Sequence, residues 1–270
     1  MKILAVIVAY KPDMEVLRRN ISSFIDGVGK LLVWRNSPLD EEAVTAGKPR
    51  WAGKVEFCGA GENVGLPKAY NYAAGRASEE GFTHMLLMDQ DSCFTDFESY
   101  IQAAEKVPDC ICGPVINSRY LPSEIVDEYA LINSGMLIPL PVVERTGGWR
   151  EDFFLDAVDT EFLYHAKSLG IRACHINAGN LTHSLGKKAV KKFLGKPYTI
   201  FDYPPGRLYE IYRNPLIVIR TYPSFTAELR KVQDKDNRER LVRILLGEKQ
   251  KCSKMKAIFR GVRDGLRYKI

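Results

Sequence analysis

The fold is decided by the stretch MLLMDQDS, residues 85–92, in which an apolar run ends in two acids. Such a run is typical of a buried strand, and in an open α/β sheet ligands bind beyond the carboxyl ends of these strands. Asp89 and Asp91 are one residue apart, so their side chains point to the same side of an extended chain and can ligate one cation. Two solvated acids in a loop are the commoner explanation of such a pair, and its place at a strand end favours a site.

The chain around this stretch alternates between strand and helix patterns. The apolar N-terminal run leads into Lys11-Pro12, which favours a first core strand over a signal peptide. Asp13 can cap a following helix, and Pro67 and Gly81 suit the start and end of a later one. This alternation predicts a parallel α/β sheet. We expect strands at residues 3–10, 31–34, 54–58, 85–89, 111–116, 131–138 and 172–177, and further helices at 96–106 and within 156–169.

The pattern changes towards the C-terminus. Residues 186–205 are polar, and we predict loops there. A helix is predicted at residues 207–222, with a bend at Pro215, followed by two basic helices at 226–246 and 254–267. The simplest division is a catalytic domain, residues 1–205, and a helical basic extension, residues 206–270.

Composition and charge limit the class of protein. Hydrophobic residues make up 46% of the 270 residues, which supports a substantial core. The sequence has no run of about 18 apolar residues, so we expect no membrane-spanning helix. Residues 226–270 hold 14 Lys and Arg against 6 Asp and Glu, a net charge of +8, which leaves −2 on the first 225 residues and predicts a tail that meets an anionic surface. The six cysteines show neither a CxxC pair nor zinc-ligand spacing, so we expect free thiols in a reducing cytoplasm.

The segment GAGENVG, residues 59–65, nearly matches the dinucleotide-binding fingerprint GxGxxG, with one extra residue before the last glycine. It lies between a predicted strand and a predicted helix, where a helix N-terminus can bind a pyrophosphate. It follows the third strand rather than the first, so a tight structural turn is the favoured interpretation. An enzyme that binds a nucleotide or dinucleotide through this loop stays as an alternative.

A second acidic cluster lies in FFLDAVDTE, residues 153–161, at the start of a predicted helix. Acids at this position can simply complement the helix dipole. Asp159 and Glu161, however, lie off the apolar face of the helix, and Asp156 precedes it among apolar residues. A carboxylate in partly apolar surroundings binds protons more tightly and can serve as a general base.

The spacing of residues around Asp89 and Asp91 indicates which cation this pair can bind. An EF-hand that began at Asp89 would need glycine where Phe94 stands, so a calcium loop is excluded. Mg²⁺ or Mn²⁺, held by one or two carboxylates and by substrate phosphates, fits better. His183 follows the last predicted core strand and can return to this metal, although a lone histidine is more often structural.

Taken together, these segments resemble the inverting nucleotide-sugar glycosyltransferases of the GT-A fold, family 2, and among them the bacterial rhamnosyltransferases of O-antigen and capsule assembly. The resemblance covers nearly the whole chain, and its ordered set of motifs is more specific than any one motif. It implies an α/β GT-A fold, with a mixed, mainly parallel sheet flanked by helices and a helical C-terminal extension. The segments that carry it are VAY (8–10), NS (36–37), ENVG (62–65) with Ala69 and Asn71, MDQDS (88–92), NSG (133–135), FFLD (153–156), VDTE (158–161), HSLG (183–186) and YRN (212–214).

The resemblance also implies roles for individual residues. Asp91 would ligate Mg²⁺ or Mn²⁺, with Asp89 beside the metal or the ribose and His183 as a further ligand. Asp159 matches the general base that deprotonates the acceptor hydroxyl. Tyr10, Asn36, Asn63, Gly65, Asp89 and Gln90 would line the nucleotide-sugar, and Ser134, Gly135, Asp156 and Glu161 would lie in the donor and acceptor pocket.

The implied reaction is a single displacement with inversion, from a nucleoside-diphosphate sugar to a glycan or lipid-linked glycan, in polysaccharide biosynthesis. The resemblance implies dTDP-rhamnose as the donor. Arg35 stands where the family usually has the aspartate that reads the base, and His165 stands where an arginine is common. A non-catalytic sugar-nucleotide-binding protein therefore stays as an alternative.

The expected location is the cytoplasm, with the basic tail either at the inner face of the cytoplasmic membrane or packed on the catalytic domain. Phe259, Val262 and Leu266 recur along the last predicted helix, beside arginines that suit an anionic membrane. Nucleic-acid binding is not expected, because the tail shows no recognised binding module. The sequence leaves the oligomeric state open.

Overall fold

The computed structural model describes residues 1–183, 189–193 and 196–270. The chain forms two compact units, Met1–Phe154 with His165–Ser184, and Leu155–Tyr164 with Leu185–Ile270. The first unit contains a nine-stranded sheet. The second consists of helices and a two-stranded hairpin. The domain boundary between residues 205 and 206 stays a prediction.

The sheet of the first unit is mixed, as predicted. Its strand order is β3-β2-β1-β4-β8-β6-β9-β5, and β7 also pairs with β9. Strands β3, β2, β1 and β4 pair in parallel, as do β6 and β9, whereas β5, β7 and β8 run antiparallel to their neighbours. The strands are β1 (Ile3–Ala9), β2 (Lys30–Arg35), β3 (Val55–Cys58), β4 (His84–Met88), β5 (Cys93–Phe94), β6 (Ile111–Ile116), β7 (Ile125–Asp127), β8 (Met136–Pro139) and β9 (Ala173–Thr182).

Strand β1 lies at the centre of the parallel half of the sheet. All of its residues are buried, as a continuous apolar sequence between two parallel neighbours requires. Its register pairs Ala9 with Arg35 of β2 and Ile7 with Met88 of β4. This register brings the carboxyl ends of the three strands to one edge.

Helices cover the sheet and begin at capping residues. Asp13 accepts hydrogen bonds from the N–H groups of Glu15 and Val16, and Asp96 accepts one from Ser99 N (3.0 Å). The buried Tyr100 donates its hydroxyl to the carbonyls of Cys112 (3.0 Å) and Gly135 (2.9 Å). The helices are α1 (Met14–Ser22), α2 (Glu41–Thr45), α3 (Pro67–Glu79), α4 (Phe97–Ala104), α5 (Leu140–Thr146) and α6 (Val158–Ser168), the last with its N-terminal part in the second unit.

Two predicted strands have different lengths in the structure. Residues 131–135 form turns rather than strand, because Gly135 adopts φ +81° and Met136 N donates to Asn133 O (3.0 Å). Only Met136–Pro139 of this region pairs in the sheet. Strand β9 continues past the predicted end at residue 177 to Thr182, where it pairs with β5.

The second unit contains the hairpin of β10 (Ala189–Phe193) and β11 (Lys196–Ile200) and the helices α7 (Pro205–Thr221), α8 (Ala227–Gly247) and α9 (Lys251–Arg267). The prediction of loops throughout residues 186–205 is wrong for these two strands, since their backbones pair in antiparallel register. Its parts at residues 186–188 and 194–195 lie outside the described residues. Within the described part of the chain, none of the helices combines the length and apolar character needed to cross a membrane.

Helix α7 continues past Pro215, and the bend predicted there stays a prediction. Proline has no N–H to donate to the carbonyl four residues earlier, which here belongs to Ile211. Gln233 of α8 donates its Nε2 to that carbonyl (3.2 Å). The side chain from the next helix therefore satisfies an acceptor that the proline leaves open.

Helix α9 packs very closely on α7. A Cβ added at Gly261 would lie 2.5 Å from the carbonyl oxygen of Tyr209, and one at Gly265 would lie 2.9 Å from that of Arg213. The glycine spacing of four places both on one face of α9. Arg220 of α7 donates to the carbonyl of Gly265 (2.8 Å), near the C-terminal end of α9.

We predict opposite effects of alanine at two helical glycines. Gly261→Ala is expected to lower the free energy of unfolding by about 1–3 kcal/mol, because the added methyl meets backbone that cannot move aside. Gly75→Ala is the matched control: a Cβ there meets nothing within 4 Å. It should raise stability by up to about 1 kcal/mol through helix propensity. Urea unfolding followed by circular dichroism measures both, and an unchanged Gly261→Ala would contradict the close packing.

Candidate active site

The carboxyl ends of three parallel strands form the edge of the candidate site in the first unit. Strand β1 leads into Tyr10, β2 into Asn36 and β4 into Asp89. Gln90 fixes this edge, since its Oε1 accepts a hydrogen bond from Tyr10 N (2.8 Å) and its Nε2 donates to Tyr10 O (3.1 Å). Tyr10 is 44% exposed, so its ring is available to a ligand.

Asp89, Asp91 and His183 come together beyond the end of β4. Their ligand atoms all lie within 4.8 Å of one another. Nδ1 of His183 lies 3.8 Å from Oδ2 of Asp89 and 2.8 Å from the hydroxyl of the buried Ser92. All three side chains are half-buried, so they are fixed in place and still accessible. The structure thus brings together the three residues that were predicted as metal ligands, and their role stays a prediction.

His183 is held at this position by Asn117. The N–H of His183 donates to Oδ1 of Asn117 (3.0 Å), and Nδ2 of Asn117 donates to the carbonyl of His183 (3.0 Å). Asn117 follows β6 and has φ +50°, a left-handed conformation that asparagine tolerates better than most residues. Because β6 and β9 are neighbours, their pairing carries His183 to the site. The rest of the predicted motif, residues 184–186, lies outside the described residues.

The chemistry of this donor set fits Mg²⁺ or Mn²⁺. Carboxylate oxygens are preferred by both ions, and imidazole nitrogen is a ligand that transition metals accept. Three protein ligands leave coordination positions for phosphate oxygens, as magnesium sites in nucleotide enzymes do. Asp89, Asp91 and His183 are therefore the residues that would hold such an ion.

Ser134 and Gly135 form a buried wall next to Asp89. The hydroxyl of Ser134 accepts a hydrogen bond from Asp89 N (3.3 Å), and Gly135 N donates to Leu87 O (2.8 Å). Gly135 has φ +81°, and a Cβ there would lie 2.5 Å from Cγ of Pro114. Only glycine fits at that position, so the wall is set by packing.

Backbone N–H groups of the glycine-rich loop after β3 already donate hydrogen bonds within the first unit. A phosphate-binding loop offers several free N–H groups that point at the anion. Here four N–H groups donate within the first unit, at 3.0–3.2 Å. They are those of Gly61 to Arg35 O, Val64 to Asn36 Oδ1, Gly65 to Asn63 Oδ1 and Leu66 to Phe154 O. This geometry favours a structural turn over a dinucleotide-binding loop.

Asn36 shapes this loop from the end of β2. It is 4% exposed, and its Nδ2 donates to Asn63 Oδ1 (3.0 Å) and to Gly65 O (3.4 Å). Gly65 has φ +83°, and a Cβ there would lie 2.5 Å from Phe154 O. Of the three residues Asn36, Asn63 and Gly65, only Asn63 is exposed. Asn36 and Gly65 therefore position the loop, and direct contact of these three residues with a nucleotide stays a prediction.

Arg35 is engaged in contacts within the first unit. Its guanidinium pairs with Glu41 (2.6 Å) and donates to the carbonyls of Cys58 and Gly59 at the end of β3. These bonds join the ends of β2 and β3. Arg35 thus has a structural use at the position where a base-reading aspartate was expected.

The acidic segment before α6 belongs to the second unit and is tied to α7. Asp156 and Ala157 have φ +53° and +61°, two successive left-handed residues that are not glycine. Such strain persists only where the surroundings enforce it, and it is common at functional sites. Asn214 donates to the carbonyls of Leu155 (2.8 Å) and Asp156 (3.0 Å). Arg207 donates through Nε and Nη2 to the two oxygens of the Asp156 carboxylate (3.2 and 3.1 Å).

Asp159 opens α6 just after this strained turn. Burial raises the pKa of its carboxyl, and hydrogen bonds from the N–H (2.7 Å) and hydroxyl (3.2 Å) of Thr160 only partly oppose the shift. Glu161 is 3% exposed and accepts a hydrogen bond from the hydroxyl of Tyr222 (3.1 Å). Asp159 is thus suited to take a proton, whereas Glu161 has a structural partner.

A second group of metal-ligand side chains consists of Cys110, Cys112 and Cys174. Sγ of Cys174 lies 3.2 Å from that of Cys110 and 3.8 Å from that of Cys112. Cys112 lies in β6 and Cys110 directly precedes that strand, and cross-strand pairing of Cys112 with Cys174 adds the third. All three are buried in the apolar core of the first unit, and thiol sulfur is a poor ligand for Mg²⁺ or Mn²⁺. This cluster is therefore separate in chemistry from the candidate site.

Comparison with known proteins gives both a sequence relative and structural neighbours. The dTDP-rhamnosyl transferase RfbF of Shigella flexneri is 26% identical over 81% of this chain and 80% of that protein. GalNAc-T7 with UDP, GalNAc and Mn²⁺ matches with a TM-score of 0.58 and 12% identity, over 88% of this chain and 54% of that one. S. aureus TarS matches with a TM-score of 0.55 and 14% identity, over 99% of this chain and 44% of that one. No protein-family model matches the chain.

The chain has the GT-A fold and is similar in sequence to a rhamnosyltransferase. The predicted fold is thereby confirmed, and a sequence relative that is a transferase supports the predicted enzyme class. The chain spans about half the length of the first two solved structures, 54% and 44% respectively. The solved structures show the fold. The alignment with RfbF covers most of this chain and most of RfbF.

Several residues that hold the predicted site residues in place were missed from the sequence. Asn20 is 1% exposed and donates to the carbonyl of Asp89 from α1, and Ser92 bonds to His183. Asn117 carried one usable signal, because asparagine after a strand is common where the chain turns with positive φ. The bonds of Asn20 and Arg207 join residues far apart in sequence, so no local pattern indicates them.

We predict that cation binding depends on the three predicted ligands. Asp91→Asn is expected to weaken Mn²⁺ binding by more than about tenfold, because even loss of a hydrogen-bond partner behind a ligand costs about 10–100-fold. Asp109→Asn, a change of an exposed carboxylate outside this group, is the matched control and should leave binding unchanged. Isothermal titration calorimetry measures both. Equal affinities of the two variants would contradict the site.

Proposed function

We propose that the chain is an inverting family 2 glycosyltransferase that transfers rhamnose from dTDP-rhamnose to a glycan or lipid-linked glycan in the cytoplasm, in the synthesis of O-antigen, capsule or a similar polysaccharide. The observation that carries the proposal is the convergence of Asp89, Asp91 and His183 beyond β4 of a GT-A fold. The match to a dTDP-rhamnosyl transferase supports the donor.

The nucleoside diphosphate would bind at the carboxyl edge of β1, β2 and β4. The exposed ring of Tyr10 offers a surface on which a base can stack, and the Gln90 bonds hold its backbone. Asn63 lies exposed on the loop that Asn36 and Gly65 position. Ser134 and Gly135 line the wall beside Asp89, where the sugar would lie.

Mg²⁺ or Mn²⁺, when bound, would neutralise the charge that grows on the departing diphosphate. The protein's part is to hold two carboxylates and an imidazole in one place. Asn117 and Ser92 orient His183, and Ser134 orients the backbone at Asp89. Preorganised ligands of this kind lower the barrier because they need no rearrangement when charge develops.

Asp159 is proposed as the general base. It would take the proton from the acceptor hydroxyl as that oxygen attacks the anomeric carbon on the face opposite the diphosphate, which inverts the configuration. One carboxylate suffices for this reaction, whereas inverting glycosidases need a second one to protonate the leaving group. The raised pKa of Asp159 matches the task, because a stronger base abstracts a proton more readily.

The alternative of a dinucleotide-dependent enzyme loses its main support. It depends on free N–H groups in the loop at residues 59–65, and those of Gly61, Val64 and Gly65 are already donated within the first unit. The alternative of a non-catalytic binding protein depended on Arg35, which has structural partners. Sugar transfer is therefore the function that the geometry favours.

The donor is tested by a thermal-shift panel of dTDP-, UDP- and GDP-sugars in the presence of Mn²⁺. The largest rise in melting temperature is expected with dTDP-rhamnose, because at equal concentration the ligand that binds the folded state most tightly stabilises it most. The same panel with Asp91→Asn is the control and should show smaller shifts for every donor. A clear preference for a UDP- or GDP-sugar would overturn the proposed donor, and a response to NAD alone would overturn sugar transfer.

The base is tested by Asp159→Asn and by the pH profile. The variant is expected to lose at least about 100-fold in kcat, within the range that general-base catalysis contributes, while its affinity for Mn²⁺ and nucleoside diphosphate stays unchanged. The base must be deprotonated to act, so kcat/KM of the wild type should fall as pH drops through a pKa above the ordinary aspartate value of about 3.9. Asp109→Asn should keep the wild-type rate and profile. Full activity of Asp159→Asn would show that another group is the base.

A further inference from the structure

Helix α9 presents two very different faces. Its inner face holds small and apolar residues together with one buried lysine, and packs within the second unit. Lys254 is 2% exposed and pairs with the carboxylates of Glu248 (2.7 Å) and Asp202. Gly261 and Gly265 touch the backbone of α7, and the partly buried Val262 packs beside them rather than outward as the sequence pattern had suggested. These contacts determine which face of α9 points away from the packed interior of the second unit.

The outer face alternates large apolar residues with cations. Phe259 is 70% exposed, Leu266 56% and Met255 38%. Between them on the same side of the helix lie four exposed basic residues at helical spacing. They are Lys256, Arg260, Arg263 and Arg267. Such a stripe is long, since it follows α9 from its second turn to its end.

The charges of this face are nearly all positive. Asp264 is half-buried and is paired with Arg263 (2.8 Å), while it also accepts a hydrogen bond from Tyr209 (3.2 Å). The guanidinium of Arg260 lies over the ring of Tyr209, 5.1 Å from its centroid, which leaves the charge at the surface. Lys256 and Arg267 make no ion pair within the described parts of the chain. The face therefore attracts an anionic partner.

We propose that the outer face of α9 docks on an anionic lipid bilayer. Amphipathic helices that lie in a membrane interface insert Phe and Leu at the acyl boundary and keep Lys and Arg among the headgroups. Each basic residue near an anionic surface adds electrostatic attraction, and the apolar side chains contribute through burial. Apolar and basic side chains recur side by side along the exposed side of α9, so one surface supplies both kinds of contact.

A protein partner fits this face less well. The cores of protein interfaces are depleted in charged residues, because desolvated charges need matched partners. A flat protein surface that covered Phe259 and Leu266 would also cover Arg263, which lies between them along α9. A bilayer avoids this cost, since arginine side chains can extend to the headgroups while the apolar groups enter.

The inference is tested by sedimentation with vesicles, without any sugar substrate. Wild-type protein is expected to sediment with vesicles of phosphatidylcholine mixed with phosphatidylglycerol, and not with phosphatidylcholine alone. The double variant Phe259→Ser/Leu266→Ser should bind the mixed vesicles at least tenfold more weakly. Val232→Ser removes a 55% exposed apolar residue from α8 and is the matched control, with binding unchanged. Arg260→Gln/Arg267→Gln should bind more weakly as well, and added salt should weaken the wild type.

Several outcomes would overturn the docking proposal. They are equal binding to both kinds of vesicle, wild-type binding by Phe259→Ser/Leu266→Ser, or no binding of the wild type to either kind of vesicle. In the last case, a dimer that this variant abolishes would assign the face to a second copy. Circular dichroism confirms that each variant is folded. Asp91→Asn should bind vesicles as the wild type does, so failure of the proposed sugar transfer and failure of membrane docking give different results.

Discussion

The candidate site depends on the parallel pairing of β1 with β2 and β4. Strand β1 is apolar throughout and is flanked by the exposed Lys2 and Lys11, so a shift in this register would bring a lysine into the buried part of the sheet. Because β1 is buried along its whole length, such a shift is strongly disfavoured. The same register fixes Tyr10 beside Gln90 and places Asp89 just beyond the edge. The burial of apolar strands thus determines where the acids emerge.

A different constraint acts in the second unit. Asp156 and Ala157 both adopt left-handed conformations, each of which costs free energy for a residue with a side chain. Asn214 accounts for their persistence, because its amide donates to the carbonyls on either side of the first strained residue. Arg207 adds a two-point bond to the Asp156 carboxylate. Helix α7 therefore enforces the turn that sets the start of α6, and with it the position of Asp159.

The parts of this structure that a sequence can predict are those set by local pattern. The apolar runs of β1 and β4, the cap at Asp13 and the pair of acids after β4 all follow from residues near one another in the chain. The turn at Gly135 was mistaken for strand, because apolar residues flank it on both sides and neither its φ of +81° nor the contact with Pro114 is visible in the sequence. The β10–β11 hairpin was missed, since its three lysines and Pro197 are typical of loops.

Long-range contacts set the rest of the site, and no local pattern reports them. Cys174 joins Cys110 and Cys112 only because β9 lies beside β6, a neighbour distant in sequence. Asn20 of α1 likewise donates to a carbonyl distant in sequence, that of Asp89. The sequence pattern of α1 indicates only the cap of the helix and its apolar face. His183 was predicted at the site from its position after a strand and from the family resemblance. Asn117, which holds His183 there, was not predicted.

Helix α9 shows how close packing on one side shapes the chemistry of the other. Glycine at positions 261 and 265 lets α9 approach α7 until a methyl group would collide with backbone oxygen. Little apolar side-chain area is then needed on the inner face, so Phe259 and Leu266 are not required for the stability of the unit. Large apolar residues that are exposed and contribute little to folding mark surfaces that bind something. Because they alternate with arginines rather than with mixed charges, the partner must accept both burial and positive charge at one surface.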